Sequence, residues 1–181
     1  MSCTVLFLHG PPAAGKHTIG QILAGRLGWP LFHNHLVVDL ASSLFEFGTP
    51  QFVELRASMW LVAFQQAARA GRSFVFTFNP EASVAPELID QLNAVVADEG
   101  GHTHYVAVTC PREQIRERLG APSRGAFGKL TDVTLYDELV AQGVFDFPEL
   151  PTPLITVDSG QLSADASADA VLAAYRSAEN D

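Results

Sequence analysis

The chain has 181 residues, 48% of them hydrophobic and 17% charged, a composition that predicts one domain with a substantial core and excludes a globally disordered protein. Eleven basic residues stand against 20 acidic ones, and the net charge of −9 argues against a polyanionic partner such as nucleic acid. No apolar run approaches the ~20 residues of a bilayer crossing, and residues 1–8 lack a secretory signal, so we predict a cytoplasmic protein with no membrane partner.

Short apolar runs alternate along the chain with segments of helical periodicity. The runs predict five strands, at residues 4–8, 31–32, 74–78, 105–109 and 154–157. Helices are predicted from Lys16 to the stop at Gly28, from Pro50 to Gly71, from Pro86 to Gly100, from Pro111 to Leu119, from Asp132 to Ala141, and around Val171 to Tyr175. Residues 120–128 are small and irregular, and they predict an exposed loop. The alternation predicts an α/β fold, a five-stranded parallel sheet with helices on both faces.

Between the first strand and the first helix, residues 10–18 read Gly-Pro-Pro-Ala-Ala-Gly-Lys-His-Thr. Glycines let such a loop curl with its N–H groups pointing inward, and the N-terminus of the following helix adds partial positive charge. Lys16 can then reach the β- and γ-phosphates of a nucleotide, which makes it a candidate catalytic residue. The predicted nucleotide-binding residues of this loop are Gly10, Pro12, Ala13, Ala14, Gly15, Lys16, His17 and Thr18. The alternative is an ordinary glycine-rich turn carrying a solvated lysine.

This loop resembles the Walker A motif of P-loop kinases, and Gly-Pro-Pro followed by Gly-Lys-x-Thr is most similar to the version in nucleoside monophosphate kinases. The alternation of strands and helices is similar to the wider group of shikimate kinases, gluconate kinases and antibiotic phosphotransferases. The resemblance implies a three-layer P-loop NTPase fold with a single domain over residues 1–181 and a lid near residues 120–130. It also implies ATP and Mg²⁺ as cofactors. It covers the whole chain in architecture but only residues 10–18 in motif.

The same resemblance gives nucleotide roles to three residues outside the loop. Arg118 is expected to stack on adenine, and Arg124 to close over the transferring phosphoryl group as a catalytic residue. A guanidinium suits both roles because its plane stacks on rings and its donors bind phosphate. Ser159, in the loop after the fifth strand, is expected to border adenine, although that loop can also be a simple turn.

The segments expected to hold magnesium depart from the P-loop pattern. His17 occupies the place of the usual serine or threonine ligand, and imidazole is a poor ligand for a hard cation. The third strand ends in Thr77-Phe78-Asn79, with no aspartate. We therefore expect phosphates and water to hold the ion, with Thr18 as the remaining candidate protein ligand.

The loops after the second and third strands are expected to line an acceptor site, since ligands of parallel sheets bind at the carboxyl ends of the strands. His33 and Asn34 are predicted to bind the acceptor, and His35 or Asp39 to orient or deprotonate its hydroxyl. Arg56, on the next helix, is predicted to clamp an anionic acceptor. The alternatives are ordinary hydrogen-bonded histidines, a carboxylate at a helix start and a solvated arginine. The Asp-x-Asp and glycine triplet usual in shikimate kinases are absent, which argues against shikimate.

The sequence therefore predicts an ATP-dependent phosphotransferase acting on a small-molecule acceptor, such as a metabolite, a nucleotide or an antibiotic. A nucleotide-binding protein without transfer activity is the first alternative, because His17 and the end of the third strand both depart from the motif. A polynucleotide 5′-kinase is the second alternative, which the acidic net charge disfavours. Both a monomer and a homodimer are compatible with the sequence.

Overall fold

The computed structural model of the protein describes residues 2–120, 130–147 and 150–180. Its strands in these ranges are β1 (Thr4–His9), β2 (Leu31–His33), β3 (Phe74–Phe78), β4 (His102–Thr109) and β5 (Ile155–Asp158). Its helices there are α1 (Lys16–Leu27), α2 (His35–Ser42), α3 (Pro50–Arg69), α4 (Pro86–Ala97), α5 (Arg112–Leu119), α6 (Val133–Ala141) and α7 (Ala164–Ala178). None of these helices combines the length and the apolarity that a membrane crossing needs.

The strands form one parallel sheet in the order β2-β3-β1-β4-β5. β1 is central, and its Phe7 lies in register with Phe76 of β3 and Tyr105 of β4. Since every strand runs in the same direction, all the carboxyl ends lie at one edge of the sheet, where ligands of this architecture bind. The predicted parallel sheet with helices on both faces is confirmed.

The side chains of β1 enter two separate cores because successive strand residues face opposite sides of a sheet. Val5 and Phe7 pack into a cluster with residues of α3 and α4 on one face. Leu6 and Leu8 pack on the other face with residues of α1 and α7. A smaller cluster around Tyr136 joins α5 to α6. The central strand is therefore buried on both sides, as its continuous apolar run predicts.

α2 is a helix that the sequence analysis did not predict. It begins directly after β2, and Asn34 precedes it with helical dihedral angles and no side-chain cap. Asparagine is a common N-cap residue, but the Asn34 side chain makes no capping hydrogen bond to α2. Asp39, considered above as a carboxylate at a helix start, lies inside α2. The predicted lid near residues 120–130 falls largely outside the described residues.

Candidate active site

A cleft of about 1250 Å³ opens at the carboxyl edge of the sheet. The predicted site residues that line it are Pro12, Ala13, Gly15, Lys16, His17, Thr18, Asn34, His35, Asp39, Arg118 and Ser159. Gly10, Ala14, His33 and Arg56 are not among its lining residues, and Arg124 lies outside the described residues. The fold thus brings two separately predicted groups, the phosphate loop and the segment after β2, to the walls of one cleft.

The loop between β1 and α1 curls as its glycines predict. Gly10 has a φ of 150° and Gly15 a φ of 87°, values that favour glycine. A Cβ atom at Gly10 would also lie 2.0 Å from the carbonyl oxygen of Val108, so no larger residue fits there. Ala13 adopts a left-handed φ of 61°, which strains a residue with a side chain. Such a curl turns successive backbone N–H groups toward a concave surface that binds anions.

Lys16 is the first residue of α1, and its side chain folds back over this loop. Nζ donates hydrogen bonds of 2.7 Å to the carbonyl oxygens of Gly10 and Pro11. The ammonium charge and the N-terminus of α1 therefore lie on the same loop, and both favour an anion. This arrangement fits the phosphate groups of a nucleotide.

Arg118 and Ser159 form the wall next to the phosphate loop. The two Nη atoms of Arg118 donate to Oγ and the carbonyl oxygen of Ser159, at 3.0 Å and 2.7 Å. The Ser159 hydroxyl donates in turn to the carbonyl oxygen of Thr109 at 3.1 Å. A Cβ atom at Gly15 would lie 4.0 Å from both Arg118 and Ser159. The two residues that the resemblance assigned to adenine are thus held together beside the loop by a chain of hydrogen bonds.

Histidines from two segments meet at the junction of α1 and β2. The ring centroids of His17 and His33 lie 4.9 Å apart, and those of His33 and His35 lie 6.3 Å apart. β2 is held here by its pairing with β3, and the N–H of Asn34 donates to the carbonyl oxygen of Thr77 at 3.2 Å. The cluster links the phosphate loop to the segment predicted to hold the acceptor.

The residues present do not fit a magnesium site built by the protein. His17 offers imidazole nitrogen where a hydroxyl is usual, Asn79 follows β3 in place of a carboxylate, and the Thr18 side chain is exposed. In the described parts of the chain, no three histidine, cysteine or carboxylate side chains lie close enough to hold a metal ion together. The expectation that phosphate oxygens and water hold the ion stays a prediction.

Arg56 lies behind the cleft wall in a buried ion pair with Glu81. Its side chain is 1% exposed and is flanked by the rings of Phe52 and Trp60, at 5.3 Å and 5.1 Å from the guanidinium carbon. One Nη donates to the Glu81 carboxylate and the other to the carbonyl oxygen of Ser83 at 2.9 Å. Burial lowers the pKa of Arg56, while the Glu81 carboxylate acts to raise it. The alternative of a solvated helix-face arginine is therefore wrong.

Glu81 lines the cleft, and the sequence analysis missed it. It follows β3 by three residues, so its place at the carboxyl edge of the sheet was the available signal. The chain gives no local sign that its partner is Arg56, which lies 25 positions earlier. Arg56 is thereby placed to fix the Glu81 carboxylate at the cleft wall.

His9 is the last residue of β1 and directly precedes the phosphate loop. Burial, together with the smaller effect of the Lys16 ammonium, lowers the pKa of His9 to about 4. Its Nε2 atom is buried and has no hydrogen-bond partner among the described residues. The imidazole is therefore neutral in the folded protein at neutral pH.

We predict that the His9 side chain makes folding stability fall as the pH drops from 6.5 toward 4. In this window the unfolded chain binds a proton at His9 that the folded protein does not, so protonation favours unfolding. The contribution amounts to about 3 kcal/mol across the window. Urea unfolding between pH 4.5 and 7.5 is expected to show a shallower pH dependence for His9→Gln than for the wild type. His102→Gln, an exposed control, is expected to keep the wild-type dependence, and an equally steep curve for His9→Gln contradicts the prediction.

The fold is similar to those of solved small-molecule kinases. A candidate kinase from Chloroflexus aurantiacus J-10-fl matches with a TM-score of 0.70 and 22% identity, and the match covers 96% of this chain and 98% of that chain. The APS kinase CysC of Mycobacterium tuberculosis matches with a TM-score of 0.65 and 17% identity, over 97% and 98%. A gluconokinase from Sinorhizobium meliloti 1021 matches with a TM-score of 0.61 and 17% identity, over 99% and 94%. No protein-family model and no curated protein matches the sequence.

These similarities confirm the predicted P-loop kinase fold, with its three layers and five parallel strands. Each match spans nearly the full length of both chains, so the likeness includes the sheet and the helices on both of its faces. With identities of 22% or less, the likeness concerns the fold. The reaction and the acceptor depend on the side chains of the site and not on the fold alone.

Proposed function

We propose that the protein is an ATP-dependent phosphotransferase that acts on a small-molecule acceptor. The observation that carries this proposal is the size of the cleft that the phosphate loop and the segment after β2 share. Its volume of about 1250 Å³ exceeds the roughly 300–1,000 Å³ typical of a pocket for one small ligand. There is room for a phosphate donor and an acceptor side by side, and the P-loop kinase fold supports this assignment.

The cleft has two ends. We call the part formed by the phosphate loop, Arg118 and Ser159 the nucleotide end. We call the part formed by α2, Phe47, residues 77–81 and residues 139–145 the acceptor end. His17, at the start of α1, lies next to the segment after β2, because its ring centroid is 4.9 Å from that of His33, and we place the γ-phosphate and the acceptor hydroxyl at this border.

The proposed reaction joins the two ends. The acceptor hydroxyl oxygen bonds to the γ-phosphorus, the bond from that phosphorus to its bridging oxygen breaks, and ADP leaves with the bridging oxygen. Lys16 and the loop N–H groups stabilise the negative charge on the transferring group. The hydroxyl proton passes to Asp39 or His35, which both line the acceptor end. We also propose that Arg124 closes over the transferring phosphoryl group.

A nucleotide-binding protein without transfer activity is the second candidate. His17 and Asn79 favour it, because His17 offers a nitrogen where a hydroxyl is usual and Asn79 offers an uncharged amide where a carboxylate is usual. Formation of ADP together with an equal amount of phosphorylated product excludes this candidate. Nucleotide binding without ADP formation across a broad acceptor panel supports it.

Thermal unfolding with and without ATP tests the nucleotide site. Ligand at about 100 times its Kd stabilises the folded state by about 2.7 kcal/mol, which raises the midpoint by roughly 5–10 °C for a chain of this size. We expect this rise in the unfolding midpoint with ATP, and the midpoint is measured in parallel with and without Mg²⁺. Adenosine, which lacks phosphates, is expected to give a much smaller rise at the same concentration. An unchanged midpoint in saturating ATP contradicts the proposal.

A further inference from the structure

The acceptor end of the cleft indicates which class of acceptor binds there, an inference that rests on the proposed function. Apolar side chains from several segments line it, namely Val38, Phe47, Phe78, Leu139, Val144 and Phe145. The segment after α6 packs against the loop after β3, because the N–H of Ala82 donates to the carbonyl oxygen of Val144 at 2.8 Å. The rings of Phe78 and Phe147 lie 5.8 Å apart at the same junction. These contacts bring apolar residues that are distant in sequence around one space.

Phe47 supplies an aromatic ring on the open side of this space. It is 60% exposed, and its ring centroid lies 4.8 Å from that of Phe52, which anchors it to α3. An anchored aromatic ring that remains in water at the wall of a cleft gains from contact with the apolar surface of a ligand. Leu44, exposed to 68% in the same loop, does not line the cleft.

The polar groups at the acceptor end include hydrogen-bond acceptors that lack a donor. The Oδ1 atoms of Asn34 and Asn79 are buried and have no hydrogen-bond partner within the described residues. Both residues line the cleft at the carboxyl ends of neighbouring strands. A buried oxygen without a partner is costly, and a hydroxyl or ammonium group of a ligand can supply the missing hydrogen bond. The exposed Asp39 carboxylate adds another acceptor.

Positive charge is concentrated at the other end of the cleft. Among the described lining residues the lysine and arginine side chains are Lys16 and Arg118, which both belong to the phosphate loop and its neighbouring wall. The charge of Arg56 is matched by the Glu81 carboxylate in a buried pair. Besides Lys16, Arg118, Asp39 and Glu81, the titratable side chains among the described lining residues are His17, His35 and Asp132, and the Asp132 carboxylate caps α6.

A negatively charged group at the acceptor end would therefore meet the exposed Asp39 carboxylate, while the charge of Arg56 is already matched by Glu81. Removing such a group from water without a paired cation is costly. We infer that the acceptor is an alcohol with an aromatic or similarly apolar body and no negative charge. Its body packs against Phe47 and the apolar wall, and its donors bond to Asn34 and Asn79. A positive charge on the acceptor is favoured further by Asp39.

Three alcohols that share one body test this inference. They have the form HOCH₂–CH(phenyl)–X, where X is methyl in 2-phenylpropan-1-ol, ammonium in 2-phenylglycinol and carboxylate in tropate. Binding to the ADP-saturated protein is measured for each by titration followed by NMR. We expect the methyl and ammonium compounds to bind at least about 10-fold more tightly than tropate. We expect the ammonium compound to exceed the methyl compound by about 2- to 5-fold, the range of an exposed ion pair.

Two variants separate the apolar contribution from the charge contribution. Phe47→Ala is expected to weaken binding of all three alcohols, whereas Leu44→Ala, a matched control outside the cleft, leaves binding unchanged. Asp39→Asn is expected to remove the advantage of the ammonium compound over the methyl compound. Asp98→Asn, which removes an exposed carboxylate at the opposite end of the sheet, leaves that advantage in place.

The outcomes distinguish this inference from the proposed function. Tropate binding as tightly as the other two alcohols, or none of the three binding measurably, overturns the inference. Failure of ATP to stabilise the same protein overturns the proposed function instead, whatever the alcohols do. Stabilisation by ATP with the expected order of alcohols supports both.

Discussion

Replacing Lys16 with alanine is expected to lower the rate of phosphoryl transfer by about 100- to 1000-fold. The variant removes the lysine charge that lies against the phosphate loop, and a preorganised donor aimed at developing negative charge contributes a factor of this size. The rate is measured as ADP formed with an acceptor identified in the panel above. ATP is also expected to stabilise the variant less than the wild type.

A charge control separates this effect from a change in net charge. Arg72→Ala removes one exposed cation just before β3, at the end of the sheet away from the cleft. We expect it to keep the wild-type rate within about twofold, as usual for surface substitutions away from a site. A Lys16→Ala protein that retains a tenth or more of the wild-type rate contradicts the role proposed for the loop.

Replacing Arg56 with methionine is expected to destabilise the protein by about 3–5 kcal/mol. The substitution keeps much of the side-chain length but leaves the Glu81 carboxylate at the edge of the core without its counter-charge, and breaking a buried pair has this cost. For a chain of this length the thermal midpoint is expected to fall by about 6–20 °C. Urea unfolding measures the change in free energy directly.

Arg69 on the same helix provides a matched control for Arg56. Its pair with Glu99 is exposed, with the Arg69 Nε atom 3.3 Å from the carboxylate, so Arg69→Met is expected to cost no more than about 1 kcal/mol. The double variant Arg56→Met/Glu81→Gln removes both charges and is expected to recover part of the lost stability. Equal costs for Arg56→Met and Arg69→Met contradict a structural role for the buried pair.

The Arg56 pair also bears on substrate choice. Arg56 was predicted from sequence to clamp an anionic acceptor, but its guanidinium already donates to Glu81 and Ser83. The acceptor end of the cleft thus presents the Glu81 carboxylate where a cation was expected. Because Glu81 matches the charge of Arg56, the pair offers no free cation to an anionic acceptor, which is why we propose an acceptor without negative charge.

The sequence by itself determined the sheet and the phosphate loop. The third strand was predicted at its observed bounds, residues 74–78, and α1 was predicted to start at Lys16 and to stop at Gly28. These features are local, because an apolar run, a glycine with positive φ and a helix start each depend on neighbouring residues. The loop sequence therefore indicated a P-loop kinase fold, and the similarity to solved structures confirms that fold.

Only the tertiary structure decided the composition of the acceptor end. α2 forms without a capping side chain, since its apolar residues gain stability from packing on α3 rather than from a local start signal. The partnership of Arg56 with Glu81 and the meeting of Ala82 with Val144 depend on how distant segments pack. Burial and charge pairing at such contacts are properties of the folded chain, because a side chain loses water and gains its partner only after the segments meet.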